Sequence, residues 1–179
     1  TVYQIIRENL LLSDPAGDPE LDGIDNFVSA GEVTSRGFEW DMTADLTDDW
    51  VLTMSYGYND TRITEDNEET TLANSVGDNF ANAPRHQLGF WTRYQVAAIN
   101  TAFAFGGDYV SDRISLSDQA VQSSFVFDAS IIWERGPYEL LFRIDNIFDE
   151  TYAQSGFNER SGHFPGAPRS MFIEVSRRW

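Results

Sequence analysis

An all-β, antiparallel, up-and-down transmembrane barrel is the fold class that the sequence predicts, and three observations predict it. Six stretches alternate apolar and polar residues with a period of two, the signature of strands with one dry face. The connections between them are short and long in turn, as in a barrel with tight turns at one end and loops at the other. No run of 18 apolar residues occurs and the mean hydropathy is -0.37, which excludes a membrane-spanning helix and leaves a barrel open.

The first strand is expected around residues 1 to 8. In 38–46, Phe38, Trp40, Met42, Ala44 and Leu46 share one face while Glu39, Asp41, Thr43 and Asp45 share the other. Residues 50–58 repeat this, with Trp50, Leu52, Met54, Tyr56 and Tyr58 against Val51, Thr53, Ser55 and Gly57. The third alternation sets Leu88, Phe90, Thr92, Tyr94 and Val96 against Gln87, Gly89, Trp91, Arg93 and Gln95. The fourth sets Thr101, Phe103, Phe105, Gly107 and Tyr109 against Ala102, Ala104, Gly106 and Asp108. In the fifth, Phe125, Phe127, Ala129, Ile131 and Trp133 oppose Val126, Asp128, Ser130, Ile132 and Glu134; in the sixth, Tyr138, Leu140, Phe142 and Ile144 oppose Glu139, Leu141, Arg143 and Asp145. A last strand is expected from about 169 to Trp179, making roughly eight. No apolar-face position in the six stretches is charged, so the two faces meet different solvents. Turns are expected at Thr47-Asp48-Asp49, at Ala97 to Asn100 and at Arg135-Gly136-Pro137, and long polar segments at about 9–26, 59–84, 110–124 and 148–167. A soluble antiparallel sandwich would also alternate; the aromatic character of the apolar faces, the aromatics near strand ends and the segregation of loop lengths favour the barrel.

Composition narrows the chemistry. The chain of 179 residues carries 29 acidic and 12 basic residues, the basic ones all Arg, for a net charge of -17. A phosphate backbone would be repelled, so nucleic acid is not an expected partner. Without Cys there is no disulfide, thiolate zinc site or thiol nucleophile. His86 and His163 lack ligand spacing, and no metal site is expected of them. The chain opens on Thr1 with no basic and apolar leader after it, which reads as a fragment or a processed chain.

Particular residues then resemble a known family. Asp145-Asn146-Ile147-Phe148-Asp149-Glu150-Thr151-Tyr152, Pro165-Gly166-Ala167-Pro168-Arg169 and the terminal Trp179 are similar to the C-terminal end of TonB-dependent outer-membrane receptors. Ser35-Arg36-Gly37-Phe38-Glu39, Tyr56-Gly57-Tyr58, Pro84-Arg85-His86-Gln87-Leu88 and Trp91-Thr92-Arg93-Tyr94 resemble successive strands of the same barrel. The resemblance implies that residues 1–179 are a C-terminal portion, about eight strands, of a 22-stranded barrel whose plug and earlier strands are absent here. It implies the outer membrane of a Gram-negative bacterium, no enzymatic activity, and energy-coupled uptake of a ferric siderophore. Implied partners are that cargo, a TonB-type coupling complex acting on the plug, the barrel-assembly machinery, which reads a terminal aromatic such as Trp179, and outer-membrane lipid. Arg177 departs from the pattern, because it falls on the lipid-side parity of Met171, Ile173 and Val175.

On this reading Glu39, Asp41, Asp45, Arg93, Asp128, Glu134, Glu139, Arg143 and Asp145 face the lumen and a movable plug, with Asp145 and Asn146 also readable as loop caps. Ligand contacts are expected from loops and the luminal rim, with Tyr58, Arg62, Arg85, His86, Tyr109, Arg113, Tyr152, Phe157, Arg160 and His163 as candidates; Arg and Tyr suit an anionic, often aromatic chelate. No cofactor is required. Asp14, Asp18, Glu20, Asp22 and Asp25, and Glu65, Asp66, Glu68 and Glu69, are dense enough in oxygen for loop-bound Ca²⁺, but read better as solvated charge. Other readings are uptake of cobalamin, haem or carbohydrate, a small non-transporting closed barrel, and a secreted sandwich-type hydrolase, for which no carboxylate pair has an acid–base context.

Overall fold

A computed structural model describes residues 1–9, 11–13, 27–29, 31–65, 76–157 and 162–179. Eight strands form one antiparallel sheet in strict chain order: β1 (Val2–Glu8), β2 (Glu32–Thr47), β3 (Trp50–Glu65), β4 (His86–Val96), β5 (Thr101–Val110), β6 (Ser124–Arg135), β7 (Tyr138–Asp145) and β8 (Ser170–Arg177). Every neighbour in the chain is a neighbour in the sheet, so the up-and-down order read from the alternation holds throughout. Among the described residues β1 and β8 are the two edges and share no ladder, so the sheet is an open wall. Among the described residues no second sheet packs face to face across it, which removes the sandwich, and three two-stranded hairpins lie in the long connections instead.

Two strands reach further than the alternation indicates. β2 and β3 begin and end six to seven residues beyond the dry stretches because their outer ends are held by side-chain hydrogen bonds. Asn59 Oδ1 accepts from Ser35 Oγ at 2.7 Å, Thr61 Oγ1 at 2.8 Å and Tyr3 Oη at 3.3 Å, so three strands are stapled where no apolar face is needed. The short turns close as expected. Gly136 takes φ 59 between β6 and β7, and a single 3₁₀ turn, Ala97–Ile99, joins β4 to β5, ended by Asn100 at φ 52.

The register carries one parity across the whole sheet. Leu52↔Thr92, Thr92↔Phe105, Phe105↔Ala129, Ala129↔Ile144 and Ile144↔Met171 pair in succession on one face. Asp41↔Ser55, Ser55↔Gly89, Gly89↔Asp108 and Asp108↔Val126 pair on the other. The sheet has almost no interior. Among the described residues only Val33, Ile63, Ala81, Ala102, Ala104 and Val121 are buried hydrophobics, while Trp40, Trp50, Tyr94, Phe103, Phe105, Phe125 and Ile131 stay well exposed on the first face. A soluble domain would hide such a surface; a wall facing hydrocarbon keeps it.

Candidate functional site

The outward face is banded. Near the short turns, Trp50 meets Tyr94 edge-on at 6.3 Å, and Arg177 stacks its guanidinium 5.6 Å from the Tyr138 ring and 4.2 Å from Trp179. The departure at Arg177 thus has a physical account: cation–π contact at the rim holds the charge beside the terminal aromatic. At the other end Phe38, Tyr56, Tyr58 and His86 form a second ring cluster, with Tyr58 and His86 at 5.3 Å and a 2.7 Å hydrogen bond between Tyr56 Oη and His86 Nδ1. Tyr109 packs edge-on against Phe125 at 5.9 Å. Tyr58, His86 and Tyr109, three of the ligand candidates, therefore point outward in the aromatic band rather than into the lumen.

All nine residues expected to face the lumen lie on the inner parity. They differ in what they touch. Arg143 Nε holds Asp145 Oδ1 at 2.5 Å, and Asp145 Oδ2 accepts from Ser170 Oγ at 3.3 Å. Arg178 lies 3.4 Å from Glu139 and 3.9 Å from Glu134, and Arg93 donates to Gln95 Oε1 at 2.7 Å. Asp128 Oδ1 accepts the Asn146 amide at 2.8 Å, so it anchors a loop. Glu39, Asp41 and Asp45 have no side-chain partner among the described residues. Asp108 and Glu174 share this face, and neither was among the expected luminal residues, although Asp108 stood on the polar side of its alternation.

Between Asp41 and Asp108 the wall is floored by Ser55 and Gly89, giving an open trough of about 330 Å³ that Thr43, Thr53 and Trp91 also line. A Cβ on Gly89 would lie 3.0 Å from Asp108 Oδ1, and one on Gly106 only 2.3 Å from Trp91 Cε3. The glycines let a carboxylate and an indole lie flat on the sheet.

The rim opposite the short turns is a fastened assembly. Arg113 donates to the carbonyl oxygens of Ala153 at 3.0 Å, Gln154 at 2.5 Å and Ser111 at 3.4 Å; partial burial lowers its pKa from the usual guanidinium value. Asn82 donates to Gly156 O at 2.8 Å and accepts from Gly156 N at 2.9 Å. Ser115, fully buried, accepts from the amides of Ser117 and Gln119. Tyr152 lies against Gly166, where no Cβ would fit. Arg113 and Tyr152 are thus occupied in holding the rim. Arg62 and Arg85 both bond Asp60, at 2.9 and 3.4 Å. Phe157 pairs with Phe164 at 6.0 Å beside His163, on the hairpin Ala153–Gly156/His163–Pro165. Arg160, Asp14, Asp18, Glu20, Asp22, Asp25, Asp66, Glu68 and Glu69 lie outside the described residues. Asn82, Ser115 and Phe164 were not singled out by the sequence, since a loop has no period to mark them.

The motif around Asn146 is a clasp. Asn146, 2% exposed and at φ 52, donates through Nδ2 to Glu150 O at 2.9 Å and Ala167 O at 3.1 Å, and accepts the Glu150 amide on Oδ1 at 2.8 Å. Asp149 accepts the Arg169 amide at 3.1 Å. One buried amide thereby ties the exit of β7 to the entry of β8, which is the loop-capping role.

The sequence model of the family described as "TonB dependent receptor-like, beta-barrel" matches residues 1–147. The chain belongs to this family. Among curated relatives, the ferrichrome outer membrane transporter/phage receptor of Escherichia coli K12 is 28% identical over 99% of this chain and 23% of its own length. The ferrioxamine B receptor of Salmonella typhimurium is 26% identical over 98% of this chain and 24% of its own. Of solved structures, the siderophore receptor PiuA of Acinetobacter baumannii superposes with a TM-score of 0.78 at 20% identity, over 98% of this chain and 25% of that one. The ferric-catecholate import receptor Fiu of E. coli K12 gives 0.76 at 18%, over 98% and 24%. This TonB-dependent receptor chain therefore spans about a quarter of the length of the relatives it matches, and its open sheet is a segment of a larger outer-membrane barrel wall.

Proposed function

We propose that the chain is the C-terminal part of the barrel of an outer-membrane receptor that imports a ferric siderophore, energised through a TonB-type complex acting on a plug. The observation that carries this reading is family membership together with relatives whose cargoes are ferrichrome and ferrioxamine B. The wall supplies no bond chemistry. Its unpaired inner carboxylates, Glu39, Asp41 and Asp45, suit reversible polar contact with a plug, because a charge left hydrated on one side is easily paired and released. At the rim, Phe157, His163 and the neighbouring Phe164 are the exposed groups best suited to meet cargo. Final assembly of the barrel uses the terminal Trp179 and the surrounding lipid.

The test is uptake of a radiolabelled panel of ferric siderophores, beside cobalamin and haem, in cells with and without the full-length gene and with and without the proton-motive force. Gene-dependent, energy-dependent uptake of one ferric chelate is the expected result. Uptake of cobalamin or haem alone, or of nothing, refutes it.

A further inference from the structure

The outward face does not end at the upper aromatic band. From Trp50 to Tyr58 is eight residues, about 27 Å along the strand and near 21 Å across the membrane at the ~40° tilt of such barrels, comparable to the apolar band of an outer-membrane wall. Whatever stands about 7 Å further out on the same face is at headgroup level. There Asp60 lies directly opposite Arg36, and Arg36 opposite Gln4, all on the outward parity of Phe38 and Tyr58. Arg62 Nε and Arg85 Nη2 both reach Asp60 Oδ1, and Arg85 also donates to Asn79 Oδ1 at 3.3 Å. Two guanidinium groups thus hold one carboxylate, and a third arginine stands directly opposite it in the ladder. Glu32, the next outward carboxylate, is turned to Thr34 and Thr64. Arg36 is exposed and has no side-chain partner among the described residues. The Arg62 and Arg85 side chains are 42% and 43% exposed, so each keeps free N–H groups toward solvent.

This is a quarter of all the arginines of an acidic chain, on the side that faces lipid, one step above rings that mark the interface. We propose that Arg36, Arg62 and Arg85 hold the phosphate of an anionic lipid of the outer leaflet. The planar fork of a guanidinium matches phosphate oxygens two at a time. Asp60 orients Arg62 and Arg85 beforehand, and Arg36, opposite, has its full set of donors to give. The band of Phe38, Tyr56, Tyr58 and His86 directly below is continuous with the site and receives the acyl chains of the same molecule. The inference rests on the barrel lying in the outer membrane and not on the identity of the cargo.

The test uses the full-length receptor, purified in a mild detergent and exchanged with diphosphorylated lipid A, with retained lipid counted by native mass spectrometry. Arg36→Gln is the informative variant, since Arg36 holds nothing else in place; its retention is expected to fall about tenfold, as loss of a charge-assisted contact requires, with Arg62→Gln at least as low. Arg36→Lys should keep more than Arg36→Gln, and phosphatidylcholine should be retained by none of them. Folding is read separately from the heat-modifiable mobility of the barrel, and cargo uptake is scored apart, so failure of the siderophore reading leaves this result interpretable. Equal retention by the parent and folded Arg36→Gln overturns the proposal. Displacement of lipid A by millimolar inorganic phosphate also overturns it, because the site would then be one for a free anion.

Discussion

Replacing Asn146 by Ala removes the clasp by taking away its side-chain amide. Three hydrogen bonds disappear, to Glu150 O, Ala167 O and the Glu150 amide, in a site that is 2% exposed. At roughly 1 kcal/mol net for each bond, about 3 kcal/mol is lost. Ala also tolerates the left-handed backbone at φ 52 less well than Asn, by about 1 kcal/mol. The total, about 4 kcal/mol, is local, because the residues that lose partners all lie between β7 and β8. Amide exchange in the full-length receptor reads it directly. Peptides covering 146–170 should exchange about a thousandfold faster where they open locally, while peptides covering β5 should not change. Asn146→Gly, which relieves the backbone and loses the same bonds, should fall slightly short of the Ala effect. Unchanged exchange in 146–170, or an equal rise throughout the sheet, would refute the clasp.

The remaining predictions test the faces and the rim. Phe105→Arg places a charge in the outward band beside Phe90 and Phe127 and should cost about 2–4 kcal/mol, against about 1 for Phe105→Leu, measured by urea unfolding of the receptor in lipid vesicles; equal costs would refute the outward assignment. Gly106→Ala drives a methyl to 2.4 Å from Phe90 O and into Trp91, for a loss of about 1–3 kcal/mol and a shift in Trp emission, whereas Gly57→Ala, with nothing within 4 Å, should be near neutral; the order of the two urea midpoints decides. Arg113→Gln should unfasten the rim, with chymotrypsin cleavage in the segments 111–124 and 152–157 about tenfold faster or more, since the contacts to three carbonyls disappear together. Identical cleavage patterns would mean that Arg113 is not what holds the loops.

The strands were legible because each has to satisfy two solvents at once, and only a period of two does that. Phe38 to Leu46 and Trp50 to Tyr58 announce themselves; the outer halves of β2 and β3 do not, because above the membrane Ser35, Asn59 and Thr61 hold the ladder with polar groups and no face must stay dry. That Glu39, Asp41, Asp45, Arg93 and the other polar-side residues share one face followed from the same parity. The rim did not, since Asn82, Arg113 and Ser115 act by capping backbone groups of distant loops, and such partners have no fixed spacing in sequence. Tyr58, His86 and Tyr109 show a different limit. Residue type marked them as ligand candidates, whereas one residue of register settles which face they take, and that face is the aromatic band.

The residues that make the family recognisable are not those that could choose a cargo. Asn146 clasps the return to β8, Gly166 gives room to the Tyr152 ring, Arg169 closes on Asp149, and Gly37 admits the Tyr3 hydroxyl where a Cβ would lie 2.6 Å from it. Each solves a problem set by the wall: how to turn a long loop back into register, or how to pass a ring over a strand. Any receptor built on this wall meets these problems whatever it carries, so the same answers serve different cargoes. Groups that select cargo must instead be exposed and uncommitted to the fold, and among the described rim residues Phe157, His163 and Phe164, on the hairpin proposed to meet cargo, fit that requirement. An exchange of that hairpin between receptors for different cargoes should therefore move specificity without unfolding the barrel. An exchange of 145–152 should do the reverse, with loss of assembly and no gain of a new cargo.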